Sequence, residues 1–393
     1  MASLERTKID HRKNLNPPYS LLITMNDFNI TDQGEVAGGV FTHISFKNHE
    51  QVVFCNDRET GLKAIIGIHS TALGPALGGT RMWHYSSEAE AINDVLRLSR
   101  GMTYKAAISG LNLGGGKAVI IADSRKDKTD AMMQKFGEFV NSLSGRYITA
   151  EDMGINTHDM EMVKLKTDHV TGIPQSMGGS GDPSPVTAYG VYMGMKAAAK
   201  HKYGSENLAG KKVMVQGIGH VGETLVDHLC KEGAEVIIND IHQDRMDEVV
   251  TKYGVKAHLG SDIFSVDFDI YAPCALGATV NKNSIPLMNC DIVAGAANNQ
   301  LADEWQDEIL LAQKGILYTP DFVINAGGLI NVYSEIAHYD RAQSLQRTEE
   351  IFNTTLEIFQ DAETNGITNH AAAVKLAQAR IDNKKRTVSN YAH

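Results

Sequence analysis

An α/β protein in two parts is predicted by three features of the sequence. From Lys211 onward, short apolar runs alternate with helical patterns, as in βαβ units that build a parallel sheet. The first of these runs passes directly into Gly217-x-Gly219-x-x-Gly222 at the head of a helical stretch. The first half has its own alternation of strands and helices, and it is divided from the second by the glycine- and proline-rich stretch Gly178 to Pro185. The expected architecture is an N-terminal α/β domain over 1–181 and a parallel-sheet domain over 182–333. C-terminal helices over 334–393 then return to the first domain.

Along the chain, VAGGVFTHISF and QVVFC (within Val36 to Cys55) and the run Lys63 to Ile68 read as strands, rich in branched and apolar residues. Ser87 with Glu90 three residues on predicts a capping box. Ile92, Val95, Leu96, Ser99 and Met102 follow at helical spacing, which puts Lys105 near that helix's C-terminal end. After Gly114-Gly115-Gly116-Lys117, AVIIAD is a buried strand; Asp130 to Leu143 is a helix, and RYITAED is a strand ending at Glu151-Asp152. Pro185 suits the first turn of the next helix. KKVMVQG, EVIINDI, DIYAPC, CDIVAGA and GILYTP are the strands of the second sheet. Two helical segments, Ser334 to Glu363 and His370 to Asp382, end the chain.

Composition narrows the function. The 393 residues are 42% hydrophobic and 21% charged, as in a globular chain with about two or three domains. A formal net charge of −10 offers no basic footprint for nucleic acid. No apolar run approaches the roughly 18–20 residues of a membrane span. The opening MASLERTKIDHRKNL lacks the apolar core of a secretory signal, so a cytoplasmic location is expected. Cys55, Cys230, Cys274 and Cys290 are too widely spaced for a Cys-x-x-Cys pair, and no His-Glu-x-x-His helix occurs, so no metal is expected.

In the fingerprint, Gly217 makes the tight turn and Gly219 lets the backbone approach a pyrophosphate. Gly222 lets helix and strand pack, and the helix N-terminus faces the negative charge. Asp240 ends the next strand at the right distance for the adenosine ribose hydroxyls. A carboxylate there repels a 2′-phosphate, which favours NAD over NADP, with His242 and Arg245 leaving room for dual use. The second constellation is the pair Lys105 and Lys117. Each read alone is a solvated lysine at an element boundary. Together, with Lys117 between glycines and an apolar strand, they suggest a desolvated lysine beside a second cation, a setting that makes a base. Asp152 stands at a strand end, as sheet-edge catalytic groups do, but spacing alone does not bring it to Lys117.

The segments GPALGGTRMW, GMTYK, GLNLGGGKAVII, ITAEDMG, GDPSPVTAYGVY, GIGHVG, GAANNQL and NAGGLINV resemble the amino acid dehydrogenase superfamily, and within it the leucine dehydrogenases. The resemblance runs in order from about Val52 to at least Val332, and is weaker over roughly the first forty residues. It implies a Rossmann-type dinucleotide domain and an NAD-dependent oxidative deamination of an L-amino acid to a 2-oxo acid and ammonia. By motif, Lys105 would hold the substrate α-carboxylate, Lys117 would be the general base, and Asp152 would shuttle the proton on the substrate nitrogen. Gly78 and Gly79 would allow close approach to the amino acid, and Thr187 and Asn299 would help place the nicotinamide half.

Glutamate-specific relatives carry a lysine where this chain has Leu77 and a serine where it has Val332. A glutamate side chain would be an unpaired charge in such a pocket, costing several kcal/mol. Leu77, Leu329 and Val332 are therefore the expected pocket wall, and leucine, isoleucine and valine the expected substrates. A phenylalanine dehydrogenase shares nearly every motif quoted and is the enzyme alternative. A non-catalytic dinucleotide-binding regulator would leave Lys105, Lys117 and Asp152 without a role. The family also implies a homo-oligomer, octameric among leucine dehydrogenases. The strands near Val36 to Cys55 and the apolar tail, with Ile336, Tyr339, Leu345 and Phe352, are candidate contact surfaces.

Overall fold

A computed structural model describes residues 39–275, 277–338 and 340–390, with side chains as far as Lys384. The first part is built on one mixed sheet. Strands β1 (Gln51–Asp57) and β2 (Leu62–Ser70) form an antiparallel hairpin. They are followed by β3 (Ala76–Trp83), helix α1 (Glu88–Ile108), β4 (Gly114–Ile121), α2 (Asp130–Ser142), β5 (Tyr147–Glu151) and α3 (Thr157–Lys164). The strand order is β1-β2-β4-β3-β5, with β4, β3 and β5 mutually parallel. Both faces are covered. Ile66, Ala118 and Ile120 pack with Phe136, Val140, Met160 and Val163 of α2 and α3, while Ile65 and Val119 pack with Val95 and Leu96 of α1. Burial on both sides explains why these strands read as continuous apolar runs.

Helix α4 (Ser184–Tyr203), with Pro185 in its first turn, leads into the second sheet. There β6 (Lys212–Gln216), α5 (His220–Glu232), β7 (Glu235–Asn239), α6 (Gln243–Tyr253), β8 (Lys256–Ala257), β9 (Ile270–Pro273), β10 (Ile292–Val293), α7 (Gln306–Gln313) and β11 (Leu317–Tyr318) follow in turn. The order β11-β10-β9-β6-β7-β8 is all parallel. The chain leaves β6 first to one side and then to the other. The crevice at the carboxyl ends of β6 and β9 is therefore the switch point where such sheets take ligands. Short helices α8 (Asp321–Ile324) and α9 (Gly327–Ala337) precede α10 (Arg341–Asn365) and α11 (Asn369–Asn390). Helix α11 lies along α1, where Arg380 donates to the carbonyls of Ala106 and Ala107 and Ala377 and Ile381 pack on Ala107. Helix α10 packs mainly on α4, and its Arg347 donates to the Gly110 carbonyl. Among the described residues, no helix is long and apolar enough to cross a membrane.

Four local expectations are corrected. Within VAGGVFTHISF, the described residues hold a 3-10 turn at Val40–Thr42 and no strand, while residues 36–38 lie outside the described residues. Thr42 bonds its hydroxyl to the Gly39 carbonyl and His43 accepts from the Ser45 N–H; such local bonds compete with a ladder. The glycines before Lys117 belong to β4 itself. Of the capping box, only one arm forms. Ser87 accepts from the Glu90 N–H, but the Glu90 carboxylate turns to the Ser86 N–H (2.8 Å) and hydroxyl (2.7 Å). Finally, Ser334 lies inside α9, which ends at His338 (φ 56°), and Asp340 opens α10 with a reciprocal capping box to Gln343. Tyr339 lies outside the described residues.

Candidate active site

Strand register assembles the charged groups. Leu77 pairs with Gly115 and Ile148, and Arg81 with Val119, so Leu77, Gly79, Arg81, Gly115, Lys117, Ile148 and Ala150 share the sheet face that α1 covers. Close approach of α1 needs Gly115: a Cβ there would sit 2.1 Å from the Thr103 nitrogen. Lys105 lies two residues further along that helix. Asp152 follows β5, and its carboxylate forms an ion pair with Lys117 and lies 3.6 Å from Arg81. Lys105, Lys117, Arg81 and Asp152 line one cavity of ≈ 340 Å³, together with Asn298, Asn299, Asp321 and His370.

Electrostatics follow from this crowding. Burial lowers the Lys105 pKa to about 8; Asp321 and Asp152 oppose that shift and Lys117 adds to it. Burial alone would raise Asp152, but the Lys117 and Arg81 charges outweigh it and hold the carboxyl at about 2. At neutral pH Asp152 is therefore an anion. Asp321 is buried at the head of α8, where it accepts the N–H groups of Gln300 (3.0 Å) and Phe322 (2.7 Å), and burial raises its pKa.

The expected substrate glycines have a structural reason of their own. A Cβ on Gly78 would fall 1.7 Å from the Gly116 carbonyl oxygen, and one on Gly79 would meet the Glu151 oxygen at 2.3 Å and the Asp152 Cβ at 2.9 Å. Leu77, Leu329 and Val332 share one buried cluster with Ile148, and Met102, which also lines the cavity, packs against it. These three do not themselves line the cavity.

The glycine fingerprint shows three separate constraints. Gly217 has φ +93° and would press a Cβ to 2.6 Å from that of Ala275; a Cβ on Gly222 would lie 2.0 Å from the Gly217 oxygen. At Gly219 a Cβ would meet nothing within 4 Å, so that space is open to a ligand. Asp240 accepts from the Ile218 N–H (2.9 Å) and the His242 N–H (2.9 Å). Burial pushes its pKa up, but these bonds and the nearby Arg245 and His242 charges leave it lowered. Asn299, in a left-handed conformation (φ 52°), reaches the cavity wall, whereas Thr187 donates to the Pro183 carbonyl (3.0 Å) beside Gly328. Sequence reasoning passed over Arg81, Asp94, Tyr85 and Asp321. Arg81 stands two residues after Gly79 in a strand, and that period-two spacing was the available signal.

A family model described as Glu/Leu/Phe/Val dehydrogenase, dimerisation domain, matches residues 49–169. A second, Glutamate/Leucine/Phenylalanine/Valine dehydrogenase, matches 178–242 and 237–390. The chain is 51% identical over 352 residues to a leucine dehydrogenase of Bacillus cereus, covering 90% of this chain and 96% of the relative. It is 46% identical over 346 residues to a valine dehydrogenase of Streptomyces virginiae, covering 87% and 96%. The crystal structure of L-tryptophan dehydrogenase from Nostoc punctiforme superposes with a TM-score of 0.77 at 45% identity, covering 86% of this chain and 97% of that one. With the paired lysines, the aspartate and the dinucleotide fold in one molecule, the chain belongs to the Glu/Leu/Phe/Val dehydrogenase family and is an amino acid dehydrogenase.

Proposed function

We propose that the enzyme catalyses the reversible, NAD-dependent oxidative deamination of branched-chain L-amino acids, leucine, valine and isoleucine, to 2-oxo acids and ammonia. The observation that carries this reading is the Lys117–Asp152 ion pair with Lys105 in the same cavity. Gly217, Gly219, Gly222 and Asp240 would hold the dinucleotide, with Thr187 and Asn299 toward its nicotinamide half; the open space at Gly219 and the carboxylate of Asp240 fit NAD. A dinucleotide held there would supply the acceptor for the hydride that leaves the amino acid Cα. Lys105 holds the α-carboxylate through its Nζ. Asp152, kept anionic by its cationic neighbours, takes up and returns the proton of the substrate nitrogen. Lys117 Nζ removes a proton from the water that attacks the imine carbon, and the tetrahedral adduct expels ammonia to leave the 2-oxo acid. Met102 would meet the apolar side chain from the cavity wall, backed by the buried cluster that holds Leu77, Leu329 and Val332, and Gly78 and Gly79 let the sheet close beneath it. Burying a leucine side chain there gains about 1.5–3 kcal/mol, whereas a glutamate would bring an unpaired charge.

The reading extends to organisation. Residues 1–181 are the substrate and oligomerisation domain, 182–333 the dinucleotide domain, and 334–393 the returning helices, with a hinge near Gly181. The molecule is a cytoplasmic homo-oligomer, an octamer. Purified protein with NAD and a panel of leucine, valine, isoleucine, phenylalanine, tryptophan and glutamate tests the activity by NADH absorbance. Fastest turnover with the branched-chain acids is expected. Preference for an aromatic acid would move the substrate assignment, and turnover of none would refute it. Light scattering after size exclusion tests the assembly, where a mass near the 42.8 kDa subunit would refute an oligomer.

A further inference from the structure

We propose that Arg81, tethered by Asp94 and Tyr85, is a positioning residue for Asp152: a permanent counter-charge that holds the carboxylate in place while Lys117 gains and loses its proton. The inference rests on the deamination reading, in which Lys117 serves as the base.

Arg81 projects from β3 on the face it shares with Gly79 and Lys117, and Gly79 is what lets the turn at Asp152 settle onto that strand. Its Nη1 donates to Asp94 Oδ2 at 3.0 Å and its Nη2 lies 3.6 Å from Asp152 Oδ2. The buried Tyr85 donates its hydroxyl to the same Asp94 oxygen at 2.7 Å. Asp152 is thus held at both oxygens. Oδ1 accepts from the Met153 N–H at 2.7 Å, and Oδ2 is shared between Lys117 and Arg81.

The sharing matters because the two cations differ in kind. A lysine acting as base is neutral for part of each cycle, whereas a guanidinium keeps its charge throughout. During that part of the cycle Arg81 is the counter-charge left on Oδ2. Without it, a carboxylate this enclosed would take a proton and lose its hold on the substrate nitrogen. Asp94 explains why Arg81 does not seize Asp152 outright. An arginine facing one carboxylate tends to close on it through two parallel bonds. Here the shorter contact goes to Asp94, so Arg81 supplies charge to Asp152 while leaving Oδ2 within reach of Lys117. Tyr85 fixes Asp94 for that purpose.

The test combines kinetics with a titration that does not depend on turnover. In Arg81→Gln, kcat for leucine should fall roughly 10- to 100-fold with KM within about threefold of wild type, and Arg81→Lys should recover much of the loss. Carbon-13 NMR of labelled aspartate carboxyls, with Asp152 assigned through Asp152→Asn, should show its titration moved up by about one unit in Arg81→Gln but not in Arg81→Lys. An unchanged titration, or a tenfold rise in KM at constant kcat, overturns the proposal; the latter would make Arg81 a substrate-binding group. Tyr85→Phe removes one hydroxyl and serves if Arg81→Gln does not fold. A several-fold loss of kcat at constant KM is then expected, and wild-type kinetics would overturn the role. Should the wild-type enzyme oxidise no amino acid, the deamination reading fails, while the carboxyl titration still decides whether Arg81 governs Asp152.

Discussion

Replacing Gly115 by alanine should lift helix α1 from strand β4 and carry Lys105 with it. The new Cβ would lie 2.1 Å from the Thr103 nitrogen, 2.2 Å from its hydroxyl and 2.5 Å from its Cα, where ordinary contacts begin at 3.4 Å. The helix must therefore move by more than 1 Å at its backbone. Thr103 cannot yield by rotating its side chain, because two of the three close atoms are main-chain and its hydroxyl is bonded to His69 Nδ1 at 2.8 Å. Overpacking of this kind costs about 1–3 kcal/mol of stability. The kinetic cost is larger, since a displacement of about 1 Å of a substrate-positioning group costs on the order of 10²-fold. Initial rates over a leucine series at saturating NAD should show kcat/KM down by roughly that factor, mostly through KM, because Lys105 acts in binding. Calorimetric titration with NAD should show unchanged affinity. A kcat/KM within twofold of wild type would refute the claim that the glycine sets the position of Lys105.

Other outcomes follow from the same geometry. Lys117→Ala should lower kcat by roughly 10²-fold or more, the scale of a general base, with NAD affinity intact by calorimetry; retained turnover would remove Lys117 from that role. Gly219→Ala should leave the melting temperature unchanged, because the added Cβ meets nothing within 4 Å, yet weaken NAD binding by about tenfold or more. Gly222→Ala, pressed to 2.0 Å from the Gly217 oxygen, should instead lower the melting temperature. Glu308, which caps α11 by accepting the Asn369 and His370 N–H groups, has its pKa raised to about 7 by burial, with these bonds opposing. A carboxyl raised in the fold favours the protonated form, so its stabilising contribution is complete below about pH 4.5 and is lost as pH rises through about 7. Urea titrations between pH 5 and 8 should show up to roughly 3 kcal/mol of that loss, flattened in Glu308→Gln; identical slopes would refute the assignment.

What was legible in the sequence follows from how local each cause is. The three fingerprint glycines answer to a turn, an open approach and a helix–strand contact within six residues, so their pattern carries its reason with it. The convergence of Lys105, Lys117 and Asp152 has no such local cause. It depends on β4 lying between β2 and β3 and on β5 flanking β3, a tertiary fact that only a family resemblance could anticipate. Arg81 lies within GPALGGTRMW, but its role is not legible there because its partners come from α1 and the turn after β5. The misread strand near Val40 and the undivided helix at Ser334 share one cause. In both, short polar side chains, Thr42 and His43 or Asp340, supplied bonds that apolar periodicity does not register.

The glycines of the first sheet connect packing to chemistry. Gly78, Gly79, Gly115 and Gly116 each stand where a Cβ would overlap a neighbouring strand, helix or ring, so the layers close more tightly than side chains would permit. That closeness forces Lys105, Lys117 and Arg81 into one cavity, an arrangement of like charges that is costly on its own. Asp152, Asp94 and Asp321 occur in the same cavity wall, and each appears beside one or more of those cations. The carboxylates offset the repulsion without removing its consequences. Burial, with Lys117 adding to it, draws Lys105 down to about 8, and Lys117 and Arg81 hold Asp152 at about 2 against burial. An incoming amino acid brings one carboxylate and one ammonium, the same two charges the site already balances, so it can replace contacts between Lys117, Asp152 and Lys105 without leaving a net charge buried. The apolar cluster behind that wall, with Leu77 in it, offers no charge to a second side-chain carboxylate, and on that ground the packing of glycines bears on substrate choice as much as on catalysis.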